Sequence, residues 1–443
     1  MKQILKIFIY FVLTFSFSLV FAQKKYSLNE SIQTGITNSK DLKISGSKKI
    51  VSNAKIDEIS SQFLPSLKFN VGYSRLSDVP PFSISVPFYP KPIQISDVIL
   101  NNYTFRFSVQ QPVFTGFRLS SQKNSSEYLF RATEYDELKD LNELAYNINF
   151  AFWNFKKAKM IKKILLDNIE TIEKHLDDTK NFYKNGMATE NDILKLELTL
   201  SNAKLALLEA EGNIESARIL FNRAIGVNIS ENTDIEVENI NITDDYNNIT
   251  TLIATAYLQR KEINSIELRI NASNENIIAA RSSYYPSVFL SGNYYFNQPN
   301  SRYQPPLNQF KGSWDLGINL SWDIWNWRIT SSQIIQAEQM KLQNETSLQI
   351  LKENIEIEVR QNFIAYNLAK EKILLTEKAI NLAVDNKRLI DEKYKFRIAT
   401  STDLIDAQNS HLQSNVNYTI ALIDYQTAKI KLEKSFGKIL YKL

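Results

Sequence analysis

All eleven prolines of this 443-residue chain fall in two windows, Pro65 to Pro112 and Pro286 to Pro306, which leaves residues 113–285 and 307–443 without one. A proline inside a helix removes a donor and clashes with the preceding turn, so proline-free tracts of this length permit very long helices. Composition narrows the class further. With 44% hydrophobic and 23% charged residues, 11 glycines and no cysteine, the chain is not collagen-like, disordered or built on disulfides. A mean hydropathy of -0.27 argues against a bundle of membrane-spanning helices.

The charge balance gives no nucleic-acid reading. Lys plus Arg number 52 and Asp plus Glu 48, spread along the chain, and nothing in that balance suggests nucleic-acid binding. The first residues are more informative. Lys2 and Lys6 lead into an apolar run through Val20, and Val20-Phe21-Ala22 offers small residues before Gln23. This predicts a secretory signal peptide over 1–22, the alternative being a single transmembrane anchor. A chain without cysteine also lacks the residue to which a bacterial lipoprotein's acyl chains attach, so no lipidation is expected.

The sequence repeats itself. At a constant offset of 211, Tyr183 falls on Tyr394, Ala188-Thr189 on Ala399-Thr400, Asp192 on Asp403, Ala217 on Ala428 and Gly226 on Gly437. The same offset sets Tyr103 on Trp314, Phe114 on Trp325 and Gln122 on Gln333. Upstream it becomes 221, where Pro65-Ser66 meets Pro286-Ser287 and Asp41-Leu42 meets Glu262-Ile263. The ten-residue change falls in the proline-rich run from Val79 to Pro92, which reads as a longer loop in the first copy. The expected division is 23–227 for the first copy, 228–248 for a polar linker and 249–443 for the second.

Each copy reads as helix, strand, loop, strand, very long helix, short turn, helix. Leu67, Phe69, Val71 and Tyr73 alternate with polar residues, as do Tyr103, Phe105, Phe107 and Val109. Val288, Leu290, Tyr294 and Phe296 form a third strand, and Trp314 through Ile324 a fourth. A soluble sheet with one face on a core would show the same alternation. Two features favour a membrane barrel: strands of about ten residues, and Trp314, Trp322, Trp325 and Trp327 clustered as an aromatic girdle at the boundary between lipid and water. Helices are expected over about 117–185 and 328–396, each reaching ~100 Å at ~1.5 Å per residue. On the second, Ile355, Val359, Phe363, Tyr366 and Ile373 trace a coiled-coil seam, while Ile350, Ile357 and Ile364 trace another flank.

Four strands do not close a barrel, and an open sheet in lipid leaves unpaired edges. Three copies would supply twelve strands, with the long helices forming a tube.

At this point the chain resembles the TolC-like outer-membrane efflux proteins. The resemblance rests on the Pro-Ser pair before the first strand of each copy, on Gln111-Pro112-Val113-Phe114 and Trp322-Asp323-Ile324-Trp325 after the strands, and on Tyr-Lys-x-x-x-Ala-Thr-x-x-Asp at both helical turns. It implies an α+β membrane protein: a homotrimer with a twelve-stranded outer-membrane β-barrel and a periplasmic α-helical barrel. It implies a passive exit channel of a tripartite efflux or type I secretion system, with a periplasmic adaptor and an inner-membrane pump as partners. The alternative is a structural periplasmic coiled-coil protein without channel activity.

No catalytic constellation, phosphate loop, cofactor site or metal-ligand spacing is apparent, and His175 and His411 stand alone, so an enzyme is not expected. The resemblance matches Gly186, Met187, Ala188 and Thr189, with Ile398, Ala399 and Thr400, to the tips that meet the adaptor; small residues that merely allow a chain reversal would look alike. Asp403 and Asp406 lie three apart on one helical face and would repeat in a trimer as rings of carboxylates favouring cations. The resemblance places the pore constriction there; a helix cap or solvated face is the other reading. The first copy has Asp192 but Lys195 at the matching positions. The family often has glycine at Arg397, and its closed-gate arginine falls on Ala399 here, which leaves Tyr394 and Arg397 as the candidate latch.

Overall fold

The computed structural model describes residues 24–236, 240, 242 and 246–441. The expected signal peptide and part of the expected linker lie outside the described residues. The elements in chain order are β1 (Lys24–Tyr26), α1 (Leu28–Asn38), α2 (Lys40–Ser61), β2 (Ser66–Arg75), β3 (Ser83–Ile84), β4 (Ile93–Gln94), β5 (Asn101–Thr115), α3 (Arg118–Lys184) and α4 (Glu190–Ile225). There follow β6 (Thr233–Ile235), α5 (Ile249–Gln259), α6 (Lys261–Arg281), β7 (Ser287–Asn297), β8 (Lys311–Ser321), α7 (Ile329–Lys395) and α8 (Ser401–Ser435). Two compact units result, and each draws on both sequence copies.

The first unit, Ile44–Leu138 with Lys261–Glu353, carries an antiparallel sheet in the order β2-β5-β7-β8. Its register aligns Phe69 with Phe107, Phe107 with Tyr294, and Tyr294 with Trp314, all on one face. The opposite face aligns Lys68 with Ser108, Ser108 with Asn293, and Asn293 with Asp315. The alternation expected from the sequence is thus realised across the sheet. Leu67, Phe69, Leu316 and Ile318 on the apolar face are exposed, and β2 and β8 are open edges. The longer strand connection is the first, 76–100 against 298–310, and it holds the short β3–β4 hairpin.

One expectation needs correction. β8 stops at Ser321, so Trp322 and Ile324 do not extend it. The ladder ends because its partner runs out: Ser321 pairs with Ser287, the first residue of β7, and before it come Pro286, without an N–H, and the 3-10 turn Ser282–Tyr284. Of the four tryptophans only Trp314 lies in the strand. Trp322 donates its Nε1–H to the Tyr284 carbonyl at 3.2 Å, and the Trp325 and Trp327 rings meet edge-on at 5.7 Å in the connection to α7.

The second unit comprises the described residues up to Lys43, Lys139–Arg260 and those from Asn354 onward. Its core gathers Tyr26, Ile32, Ile148, Phe152, Phe155, Phe221, Ile225 and Ile235. The parallel β1–β6 pair brings Tyr26 beside Ile235. The seam expected on α7 is buried at Ile355, Val359, Tyr366 and Ile373, with the Tyr366 ring against Tyr425 of α8 at 5.5 Å. The other flank, Ile350, Ile357 and Ile364, is more than half exposed, and so are Leu368, Leu375 and Leu382 at heptad spacing. On α4 the same holds for Leu194, Leu198, Leu205 and Leu208. Among the described residues no helix is long and apolar enough to cross a membrane.

Candidate functional site

The turns α3–α4 and α7–α8 have the same backbone. Met187 N–H donates to the Phe182 carbonyl at 2.8 Å, and Ile398 N–H to the Lys393 carbonyl at 2.8 Å. Both turns pass through a left-handed residue at matching positions, Gly186 with φ 72° and Arg397 with φ 62°. Glycine adopts that conformation freely; an arginine does so only at a cost. Each following helix opens with a capping box. Thr189 and Asp192 exchange side-chain and backbone hydrogen bonds, as do Thr400 and Asp403.

Arg397 ties the two turns together. Its Nη2 donates to the Met187 carbonyl, and its guanidinium lies 4.7 Å from the Phe182 ring centroid and 5.4 Å from that of Tyr394. Tyr394 is buried, its hydroxyl 2.6 Å from Thr179 Oγ1 and 3.5 Å from Ser401 Oγ. The structure therefore brings the two expected latch residues together and adds Thr179 and Phe182, which sequence reasoning missed. Nothing in the spacing of α3 against α7 signals either partner.

The carboxylates divide by role. Asp403 Oδ2 accepts from the Thr400 backbone N–H at 2.9 Å and from its hydroxyl at 2.7 Å. Those bonds, the hydroxyl's first, hold its carboxyl below the usual range. Asp403 thus has the capping role that the sequence left open. Asp406, one turn on, is exposed. In the first turn burial raises Asp192, but hydrogen bonds from Thr189 and Ser401 and the charge of Arg397 outweigh it, and the net shift is downward. Lys195, at the position matching Asp406, donates to Thr402 Oγ1 at 3.0 Å.

The expected adaptor residues form one surface. Gly186, Met187, Thr189, Ile398 and Thr400 are exposed, while Ala188 and Ala399 are half-buried. Tyr183 and Phe396, absent from the expected set, widen the exposed apolar patch. Farther along the helices, His175 Nε2 lies 3.5 Å from Asp391 Oδ1, so this histidine does not stand alone. Among the described residues no group of three His, Cys, Asp or Glu could hold a metal ion.

The sequence profile of the outer membrane efflux protein family matches residues 32–227 and 252–438. The chain belongs to the outer membrane efflux protein family. Members of this family are efflux channels and not enzymes. One relative is the probable efflux pump outer membrane protein TtgC of Pseudomonas putida, 19% identical over 321 residues, which are 71% of this chain and 63% of that protein. The outer membrane protein TolC of Vibrio cholerae is 19% identical over 281 residues, 62% of this chain and 64% of its own. The match spans less than two thirds of either relative. Among solved structures, the channel OprN superposes with a TM-score of 0.74 at 17% identity, covering 93% of this chain and 89% of that one. The Campylobacter jejuni channel CmeC superposes with 0.76 at 17% identity, covering 93% and 85%. The fold is therefore that of the efflux-family channels.

Proposed function

We propose that three copies of this chain assemble into an outer-membrane exit duct, a passive conduit of a tripartite efflux or type I secretion system opened by a periplasmic adaptor and an inner-membrane pump. The observation that carries the reading is the four-stranded sheet, with one face predominantly apolar and exposing Leu67, Phe69, Leu316 and Ile318, the other mainly polar, and both edges unpaired. Such a sheet is stable in lipid only when closed, and three copies supply the twelve strands of a barrel with a wet interior. Family membership supports the outer membrane as its place and a pump as its driver.

The same reading takes 1–22 as a signal peptide, and 23–227 and 249–443 as two copies of one unit joined by 228–248. Two helices of 67 residues at matching positions support it. Trp314 stands near the loop end of β8, and Trp322, Trp325 and Trp327 follow its other end, so they would mark opposite borders of the apolar band. Tyr394 and Arg397 serve as the latch, the exposed turn residues from Gly186 to Thr189 and from Ile398 to Thr400 meet the adaptor, and Asp403 with Asp406 line the constriction.

Reconstitution in planar bilayers tests this. Asp403→Ala with Asp406→Ala should change conductance or cation preference by roughly twofold or more, as expected when a ring of charge is removed. Unchanged conductance and selectivity would remove the ring assignment, and a protein that never conducts would remove the duct.

A further inference from the structure

Charge on the strands is confined and one-sided. β2, β5, β7 and β8 carry five charged side chains: Lys68, Arg75, Arg106, Lys311 and Asp315. Four share the polar face, since Lys68 pairs with Ser108, Arg106 with Asn70 and Tyr295, Lys311 with Asn297, and Asp315 with Asn293. Arg75, the last residue of β2, has the parity of the apolar face and borders the loop. The polar face therefore carries three cations against one carboxylate. That carboxylate is already engaged, accepting from Asn293 Nδ2 at 2.8 Å, with Tyr295 a second hydrogen-bond partner. Lys68 and Arg106 are exposed. The acidic residues noted at the helical turns have no counterpart here.

We propose that the strand-lined passage is an anion-preferring segment, and that the cargo it admits most readily is anionic. The inference rests on the exit-duct reading, in which the polar face lines the lumen. Net charge does not depend on how the side chains pair, so any ion pair formed between neighbouring copies leaves two positive charges per chain. Low-dielectric walls around a water-filled passage concentrate that field and raise the local anion concentration. Screening limits the effect to modest ionic strength, since the Debye length is ~10 Å at ~0.1 M salt and ~3 Å at ~1 M.

The test uses the full-length protein in planar bilayers with inorganic tripolyphosphate added on the side of the strand-connecting loops. At about 0.1 M salt the polyanion should block the current, and the block should vanish at about 1 M. Lys68→Gln with Lys311→Gln should weaken the block about tenfold, and Asp315→Asn, which removes the one negative charge of this face, should strengthen it severalfold. The opposite signs keep the test decisive if one variant fails to assemble, with heat-modifiable migration on gels reporting assembly. Conducting channels that tripolyphosphate does not block, or blocks equally in all variants, overturn the anion preference and leave the duct standing. A protein that conducts under no condition overturns both.

Discussion

Arg397 holds a backbone conformation that costs a side chain roughly 1–2 kcal/mol, and its contacts with the Met187 carbonyl, Phe182 and Tyr394 offset that strain. Two substitutions separate the terms. Arg397→Ala loses the contacts and keeps the strain, whereas Arg397→Gly loses both, so the glycine variant should be the more stable by about 1 kcal/mol. Both should weaken the tie between the turns and raise the open fraction of single channels; hydrogen exchange over 394–403 reads the local stability. Equal protection in all three proteins would mean that Arg397 closes nothing. Thr400→Ala is a separate probe, expected to cost about 1 kcal/mol through loss of the helix cap. The sequence drew attention to this position because the resembled family often has glycine where this chain has Arg397. It did not disclose the acceptor, because a backbone carbonyl such as that of Met187 has no side-chain signature. Asp403 shows the opposite limit: a cap was only the alternative to the constriction reading, and a capping box with Thr400 is what its carboxylate makes.

At the scale of elements, the ends of the long helices were legible to within a residue, because nothing breaks the helical pattern over about 117–185 and 328–396; in the structure a left-handed pair stands before each, Gly116-Phe117 before α3 and Trp327-Arg328 before α7. The end of β8 was not, since it depends on where β7 begins and not on the residues of β8 itself. Contacts across helices were equally hidden, and one of them has a pH consequence. Burial pushes the His175 imidazole below its ordinary pKa, with Lys387 and Lys174 acting the same way and Asp391 and Asp178 opposing; burial also lowers His411. The folded chain thus binds fewer protons here than the unfolded chain, whose histidines titrate near ~6.5. The stability that this supplies is complete above that pH and is lost as pH falls toward the depressed folded pKa values. His175→Gln with His411→Gln should flatten the fall in thermal stability between pH 7.5 and 5.5 attributable to these groups. An unaltered pH slope would show that neither histidine contributes to it.

For the whole molecule, the open edges of the sheet were readable from strand count alone, because four strands do not close; which helical surfaces would meet the proposed partner copies was not. Ile350, Ile357 and Ile364 were legible as a second flank, but the extension through Leu368, Leu375 and Leu382 became distinct only when Ile355, Val359, Tyr366 and Ile373 proved to be buried within the chain. Both α7 and α4 present exposed leucine stripes, and covering each leucine fully is worth about 1.5–3 kcal/mol. Leu375→Glu with Leu382→Glu should therefore dissociate the assembly while leaving far-UV circular dichroism of the chain intact, because neither side chain enters its own core. Ile373→Glu should do the reverse first, unfolding the α7–α8 packing by placing a charge in a buried seam. Light scattering of detergent-purified protein distinguishes the two. If the leucine variant remains oligomeric, the stripes are not the contact surface, and closure of the barrel through β2 and β8 must hold the copies together without them.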